Sequence, residues 1–293
     1  MKIYLFAPLL AILPVTPGYA NAADAALTDD ISRHELFQYA VSLEFGPAVT
    51  IPERFALPDD TRGKPEWTFG VDISHYDGRV NWELVSSQGV AFVYVKATQG
   101  EAGYDGKFAE NWSALAKLNS QPRLWRGAYH FLSADADARA QAQNFLKVAG
   151  AAAAGDMPPC LDLEWDIVRG GSQDRFSKYT AEQIVEKAKM WLVTVEQASP
   201  GRKPIIYTNK TFWLQHGLDK TSGLEGYGIW IADYTQKSRL AQTPIAPAGF
   251  EIALWQFSEM GHFTQSGIAA THVDVSLFKG GRPDFAKRFA LPE

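Results

Sequence analysis

Asp162 and Glu164 stand two residues apart in the apolar stretch "PPCLDLEW", residues 158–165. Alternate residues of a strand face the same way, so both carboxylates project together while Leu161 and Leu163 face the other side. An unpaired charge in a buried strand is costly. Two carboxylates this close in a dry site cannot both ionise comfortably, and one pKa rises until that group holds a proton near neutral pH. The result is an acid beside a base. Glycoside hydrolysis needs that pair, one carboxyl protonating the leaving oxygen and the other meeting the positive charge that develops on the sugar ring. A D-x-E alone also fits a buried structural network satisfied by Lys96 and backbone groups.

The elements that must position the pair are legible as eight strand-like runs, 69–74, 91–98, 124–131, 158–165, 203–209, 227–234, 251–258 and 272–278. They alternate with helical or loop segments, the pattern of βα units around a parallel sheet. "DGKFAENWSALAKL" predicts a helix capped by Asp105, with Phe108, Trp112 and Leu115 on one face. "TAEQIVEKAKMWLVTVEQAS" predicts another, opened by a Thr180/Gln183 capping box and spacing Ile184, Ala188, Trp191 and Val195 at helical intervals. The alanine run before Gly155 reads as the end of a helix. After Ile205 the connections are short and rich in Pro and Gly. The fold class is therefore α/β, a single irregular (β/α) TIM-like barrel with reduced helices in its C-terminal part.

In such barrels chemistry sits at the C-terminal ends of the strands. Polar residues gather there: Asp72 and Ser74, Lys96 and Thr98, Tyr129 and His130, Asp162 and Glu164, Tyr207 and Asn209, then Asp233 and Gln256. Asp274 is out of step, falling early in the eighth run. Trp165, Trp230, Trp255, Tyr129 and Tyr207 lie near the same rim and offer faces for stacking on pyranose rings. The acidic and histidine residues Asp72, His75, His130, Asp162, Glu164, His272 and Asp274 lack the H-x-H or H-E-x-x-H spacing of a metal site, so neither metal nor cofactor is expected. Ser74 and His75 are strand neighbours that point to opposite faces, with no nucleophile-elbow pattern around the serine.

The blocks "FGVDISHYDGRVNW", "FVYVKATQG", "GAYHF", "PPCLDLEW", "IIYTN", "IWIADY", "LWQFS" and "HVDVSLF" occur in the order and spacing of the glycoside hydrolase family 25 lysozymes, or muramidases. The chain resembles that family over residues 68 to 280. The resemblance implies an irregular β/α barrel that hydrolyses the β-1,4 bond between N-acetylmuramic acid and N-acetylglucosamine in peptidoglycan. It places Glu164 as general acid and Asp162 as the carboxylate of the second half-reaction, with Asp72 and Asp274 as further acids of the groove. It also implies retention of configuration, through the substrate's own 2-acetamido group oriented by Asp162, or through direct attack by an Asp. In the direct scheme the two carboxyls stand about 5–5.5 Å apart. Tyr129 and Tyr207 are then expected to line the subsite or donate hydrogen bonds, Lys96 and Gln256 to hold the carboxylates, and Trp165 and Trp255 to meet sugar. A chitinase-like barrel is disfavoured, because its longer block needs another Asp where Cys160 stands. A barrel that binds glycan without turnover is the alternative from another class, and the presence of both Asp162 and Glu164 counts against it.

With 293 residues, 46% hydrophobic and 13% aromatic, the chain can bury a large core. A net charge of −5 without a dense Lys/Arg run argues against nucleic acid or an anionic membrane as partner. Peptidoglycan glycan strands are the expected partner, and a monomer the expected state. The single cysteine, Cys160, permits no intrachain disulfide and reads as a packed thiol.

"MKIYLFAPLLAILPVTPGYANA" has one Lys, an apolar run from Ile3 to Val15 and a small-residue end, the pattern of a signal peptide over residues 1–22. Cleavage is expected after Ala22, with Ala20 the second choice. The run is too short to span a bilayer, so export to the periplasm or exterior without a stable membrane anchor is expected. Residues 23–67 read as an N-terminal extension, with a short helix opened by a Ser32/Glu35 capping box and then a four-proline linker over a surface, before the barrel at 68–293. The polar loop 166–179, leaving the D-x-E strand, offers Arg169, Arg175 and Lys178 to anionic groups of a substrate or serves as a solvated connection.

Overall fold

The computed structural model describes residues 26–27, 31–32, 35–36, 38–39, 55–234, 243–244, 246–265 and 267–292. The stretch read as a signal peptide lies outside the described residues.

Two short strands, β1 (Phe55–Leu57) and β4 (Gly103–Tyr104), flank a ring of eight. In the ring, β2 (Thr68–Ile73), β3 (Phe92–Gln99), β5 (Trp125–Phe131), β6 (Cys160–Leu163), β7 (Ile205–Asn209), β8 (Gly228–Ala232) and β9 (Ile252–Phe263) pair in parallel in that order. The last strand, β10 (Val273–Phe278), runs antiparallel to both β9 and β2 and closes the circle. This is the irregular α/β barrel expected from the sequence. Full helices, Ala138–Ala149 and Ala181–Ala198, follow β5 and β6. Between β7 and β8 the chain makes only the short helix Lys210–Gln215 and one 3-10 turn, Leu218–Lys220.

Strand alternation sorts the apolar residues into two layers. Val71, Val93, Val95, Leu161, Leu163 and Ile231 face out, where they meet Ile184, Ala188, Trp191 and Val195 of the long helix. Its Thr180/Gln183 capping box forms as expected. Phe92, Tyr94, Tyr129, Cys160, Tyr207, Trp230 and Leu254 face in and fill the barrel, with Phe285 and Phe289 packed beneath them. Tyr94 and Trp230 stack at 4.9 Å across this interior. Their polar atoms are satisfied as burial demands: Trp230 Nε1 donates to Ser276 Oγ at 2.9 Å and the Tyr94 hydroxyl to the Pro158 carbonyl at 3.0 Å. Gly70 and Gly127 supply the room for these rings. A Cβ at Gly127 would stand 2.4 Å from the Tyr94 ring, and one at Gly70 2.3 Å from Phe92.

Three local expectations change. Asp105 does not cap the helix Phe108–Lys117; it sits two residues earlier, and its carboxylate accepts from Lys107 N and His75 N, both at 2.8 Å. The alanine run before Gly155 follows the helix instead of ending it, because Gly150, at φ 76°, terminates the helix at Ala149. The proline-rich stretch read as a surface linker contributes β1, parallel to β9, with Phe55 and Leu57 buried in the core. The Ser32/Glu35 capping box is present, Ser32 N donating to Glu35 Oε2 at 2.9 Å and Glu35 N to Ser32 Oγ at 3.2 Å.

His130 points outward, away from the barrel mouth. It stacks on Trp191 at 5.6 Å, takes a hydrogen bond from Thr98 Oγ1 on Nδ1 and donates from Nε2 to Gln141 Oε1. That tautomer follows from Gln141, whose amide nitrogen is already donating to the Ser133 carbonyl. Burial drives the His130 pKa down to about 3, with the nearby Lys96 charge lowering it further against the Gln141 bond. The unfolded chain takes this proton near pH 6.5, so the stability conferred by neutral His130 is complete above that pH and drains away as pH falls towards 3, by several kcal/mol in all. Urea unfolding at pH 7 and pH 4 should show a distinctly smaller acid loss for His130→Gln than for wild type; equal losses would rule out His130 as the source. Gly127→Val should lower stability by about 1–3 kcal/mol through overpacking against Tyr94, read from the same denaturation midpoints.

Candidate active site

Asp72 on β2 stands directly opposite Asp274 on β10 in the strand register. The reversal of β10 explains why Asp274 looked out of step: the beginning of an antiparallel strand lies beside the ends of its parallel neighbours. Asp162 on β6 is in register with Tyr207 on β7, and Glu164 follows one residue beyond the strand, near enough for its charge to act on the Tyr234 phenol. Asp162 is 0% exposed and Asp72 and Glu164 3%.

Gln256 ties this rim together. Its Nε2 donates to Asp72 Oδ2 at 2.8 Å. Its Oε1 accepts the Tyr207 hydroxyl at 2.8 Å and also the Tyr234 hydroxyl. The carboxylate and the two phenols fix which end of the amide is which. Burial holds the Tyr234 phenol well above its ordinary pKa, and the charges of Asp274, Glu164 and Glu259 raise it further, so it stays a donor. Tyr234 thus lies within electrostatic reach of three acids from three parts of the rim.

A cavity of about 530 Å³ opens here, lined in part by Asp72, Asp77, Tyr129, Glu259, His272 and Asp274. Asp162 and Glu164 are not among its lining residues. Burial raises Asp77 to about 7; hydrogen bonds from Ser74 oppose this, while the charges of Asp72 and Asp105 add to it. Its carboxylate accepts from Ser74 N at 2.7 Å.

Of the residues expected at the site, Asp72, Asp162, Glu164, Asp274, Tyr129, Tyr207 and Gln256 come together at this end of the barrel. The tryptophans do not offer stacking faces. Trp165 is 0% exposed, on the side of Leu161 and Leu163, with Nε1 donating to Gln215 Oε1. Trp255 is 1% exposed in the outer layer, its Nε1 donating to the Asp233 carbonyl, and Trp230 is part of the interior floor. Alternation along the strand decides this: Gln256 faces in, so its neighbour Trp255 faces out. Lys96 is buried, with Nζ 2.8 Å from Gln99 Oε1 and over the Phe131 ring. In the loop 166–179 Arg175 pairs with Asp166 and Lys178 with Asp135, while Asp174 accepts from Asp166 N and Phe176 N and meets His216 at 2.7 Å. This is an internally braced connection. Among the described residues, no group of three or more His, Cys, Asp or Glu is arranged to hold a metal ion.

Sequence reasoning missed Tyr234, Glu259 and Asp77. Tyr234 shares the parity of Trp230 and Ala232 and could have been found by alternation. Glu259 could not, because register shifts between β9 and β10 reset the alternation near it.

The family model for "Glycosyl hydrolases family 25" matches residues 71–266. The chain belongs to this family. It is a glycoside hydrolase. It is 31% identical to the uncharacterized protein YegX of Escherichia coli (strain K12) over 216 residues, 72% of this chain and 69% of that one. It is 28% identical to Lysozyme M1 of Streptomyces globisporus, over 94% of this chain and 85% of that one. Among solved structures, the bacterial lysozyme from Streptomyces coelicolor superposes with a TM-score of 0.64 at 25% identity, covering 76% of this chain and 96% of that one.

The Gln256 bridge in this family 25 barrel is testable by stability. Gln256→Leu leaves two buried phenols and a buried carboxylate oxygen short of a partner, at roughly 1–3 kcal/mol for each group left unsatisfied. A denaturation midpoint unchanged from wild type would mean that Tyr207, Tyr234 and Asp72 have other partners of equal worth.

Proposed function

We propose that this protein is an exported lysozyme that hydrolyses the β-1,4 bond between N-acetylmuramic acid and N-acetylglucosamine in peptidoglycan, with Glu164 as general acid. The observation that carries the reading is the close succession of Asp162, near the end of β6, and Glu164, just beyond it, on a rim that also collects Asp72 and Asp274 in a family 25 chain. Relatives named as Lysozyme M1 and N,O-diacetylmuramidase support the substrate class.

In this reading Glu164 gives its proton to the leaving glycosidic oxygen as the bond to the anomeric carbon breaks. Asp162 holds the substrate's 2-acetamido group so that its carbonyl oxygen closes on the anomeric carbon, and its charge stabilises the oxazolinium that forms. Water, deprotonated by Glu164, then opens that ring, and two inversions leave the configuration retained. The buried, low-dielectric setting strengthens each of these electrostatic contacts. Gln256 keeps Asp72 in place, and Asp72, Asp274 and Tyr129 bind the sugar. The protein acts as a monomer on glycan strands outside the cytoplasm. No helix among the described residues is long and apolar enough to cross a membrane.

Glu164→Gln should reduce the release of reducing ends from a peptidoglycan suspension by on the order of 10²–10⁴-fold while leaving binding to the suspension intact. Mass spectrometry of the wild-type products should find muramic acid at the reducing end; glucosamine there would make the protein a glucosaminidase. Wild-type protein that binds peptidoglycan and releases nothing would reduce the barrel to a glycan-binding module.

A further inference from the structure

The described part of the N-terminal segment runs over the same rim as the carboxylates. Ala26 bridges to Tyr104 on β4, and Leu27 N donates to the Tyr104 carbonyl at 3.0 Å. Ser32 borders the cavity that Asp72 and Asp274 line. Leu36, in the helical turn that the Ser32/Glu35 box opens, is 3% exposed and joins the outer core. Tyr39 meets Trp165, the residue after Glu164, edge to face at 5.4 Å and 80°. These contacts run from the end of β3 to the end of β6. They are made by residues that precede the family match at 71.

We propose that Ser32, Leu36 and Tyr39 form one wall of the substrate groove and a determinant of specificity, stopping a glycan strand from extending past the carboxylates on the β3-to-β6 side. The inference rests on the glycosidase reading above. A cleft open at both ends cuts a polymer at internal bonds and releases fragments of mixed length. A cleft walled at one end admits a strand terminus and releases short fragments of one length from the first turnovers. A cavity of about 530 Å³ is the size of a small-ligand pocket, of which the usual range is roughly 300–1,000 Å³. Leu36 anchors the wall, Tyr39 seats it on Trp165, and Ser32 is the residue that meets sugar.

The test follows product length during digestion of long glycan strands. Wild type should release short fragments of one size from the outset. Leu36→Ala combined with Tyr39→Ala unseats the wall and should shift early products to mixed, longer fragments. Ser32→Trp narrows the cavity at a partly exposed position and should raise KM for the strands by about tenfold, with some loss of melting temperature from the missing Ser32/Glu35 cap; Ser32→Gln serves if the larger residue prevents folding. Mixed-length early products from wild type, or a Ser32 variant with unchanged KM and product length, would overturn the proposal. Wild type that releases no reducing ends at all would instead sink the glycosidase reading on which it stands.

Discussion

The insertion of β10 between β9 and β2 in the reverse direction is the constraint on which the rest of the site depends. Seven parallel strands deliver their C-terminal ends to one rim. A final parallel strand would have needed a crossover, and its first residues would have lain at the far end of the barrel. Reversal lets β10 follow β9 directly and brings its beginning to the rim, setting Asp274 against Asp72. The same pairing places Ser276 where it accepts from Trp230 Nε1, so one strand both completes the acidic rim and satisfies the largest polar ring beneath it.

Below the rim the barrel is filled by side chains. Tyr94, Tyr129, Tyr207 and Trp230 fill it, Gly127 leaving space for the Tyr94 ring and Gly70 for that of Phe92 beside it. That floor makes the carboxylates above it expensive to desolvate, which is the condition under which paired acids separate their proton affinities. It also makes the supporting hydrogen bonds directional. Gln256 can hold Asp72 because its oxygen is fixed by two phenols, and burial holds the Tyr234 phenol well above its ordinary pKa. Rigidity of the floor is thus converted into fixed positions for charge at the rim.

Much of this was legible in the chain. Eight apolar runs with polar ends predicted the ring. Asp274 resisted because direction cannot be read from an apolar run: a strand that begins with an acid and one that ends with an acid look different until the chain is known to reverse. Trp165 and Trp255 were misplaced for a different reason. Rim position was allowed to outweigh strict alternation, although Leu163 and Gln256 already fixed which way each indole had to face. Glu259 was hidden by the irregular β9–β10 register, and β1 by the four prolines on either side of it, which outweighed the apolar Phe55 and Leu57.

The acids of the cavity carry a further consequence. Asp72, Asp274, Glu259 and Asp77 all border it, and peptidoglycan brings carboxylates of its own. If all four were ionised, the cavity would repel the lactyl and peptide ends of that substrate at short range in a partly desolvated setting. Asp77 relieves part of that repulsion, because burial and the neighbouring charges of Asp72 and Asp105 keep its proton on up to about pH 7. Its folded pKa lies above the unfolded value, so the chain is stabilised relative to an ionised Asp77 below that range and gives up the advantage as pH rises through 7. Protonated, Asp77 still accepts from Ser74 N and adds no charge. The neutral state of Asp77 therefore lightens the like-charge repulsion at the rim, and its contribution to stability opposes the acid loss that comes from His130.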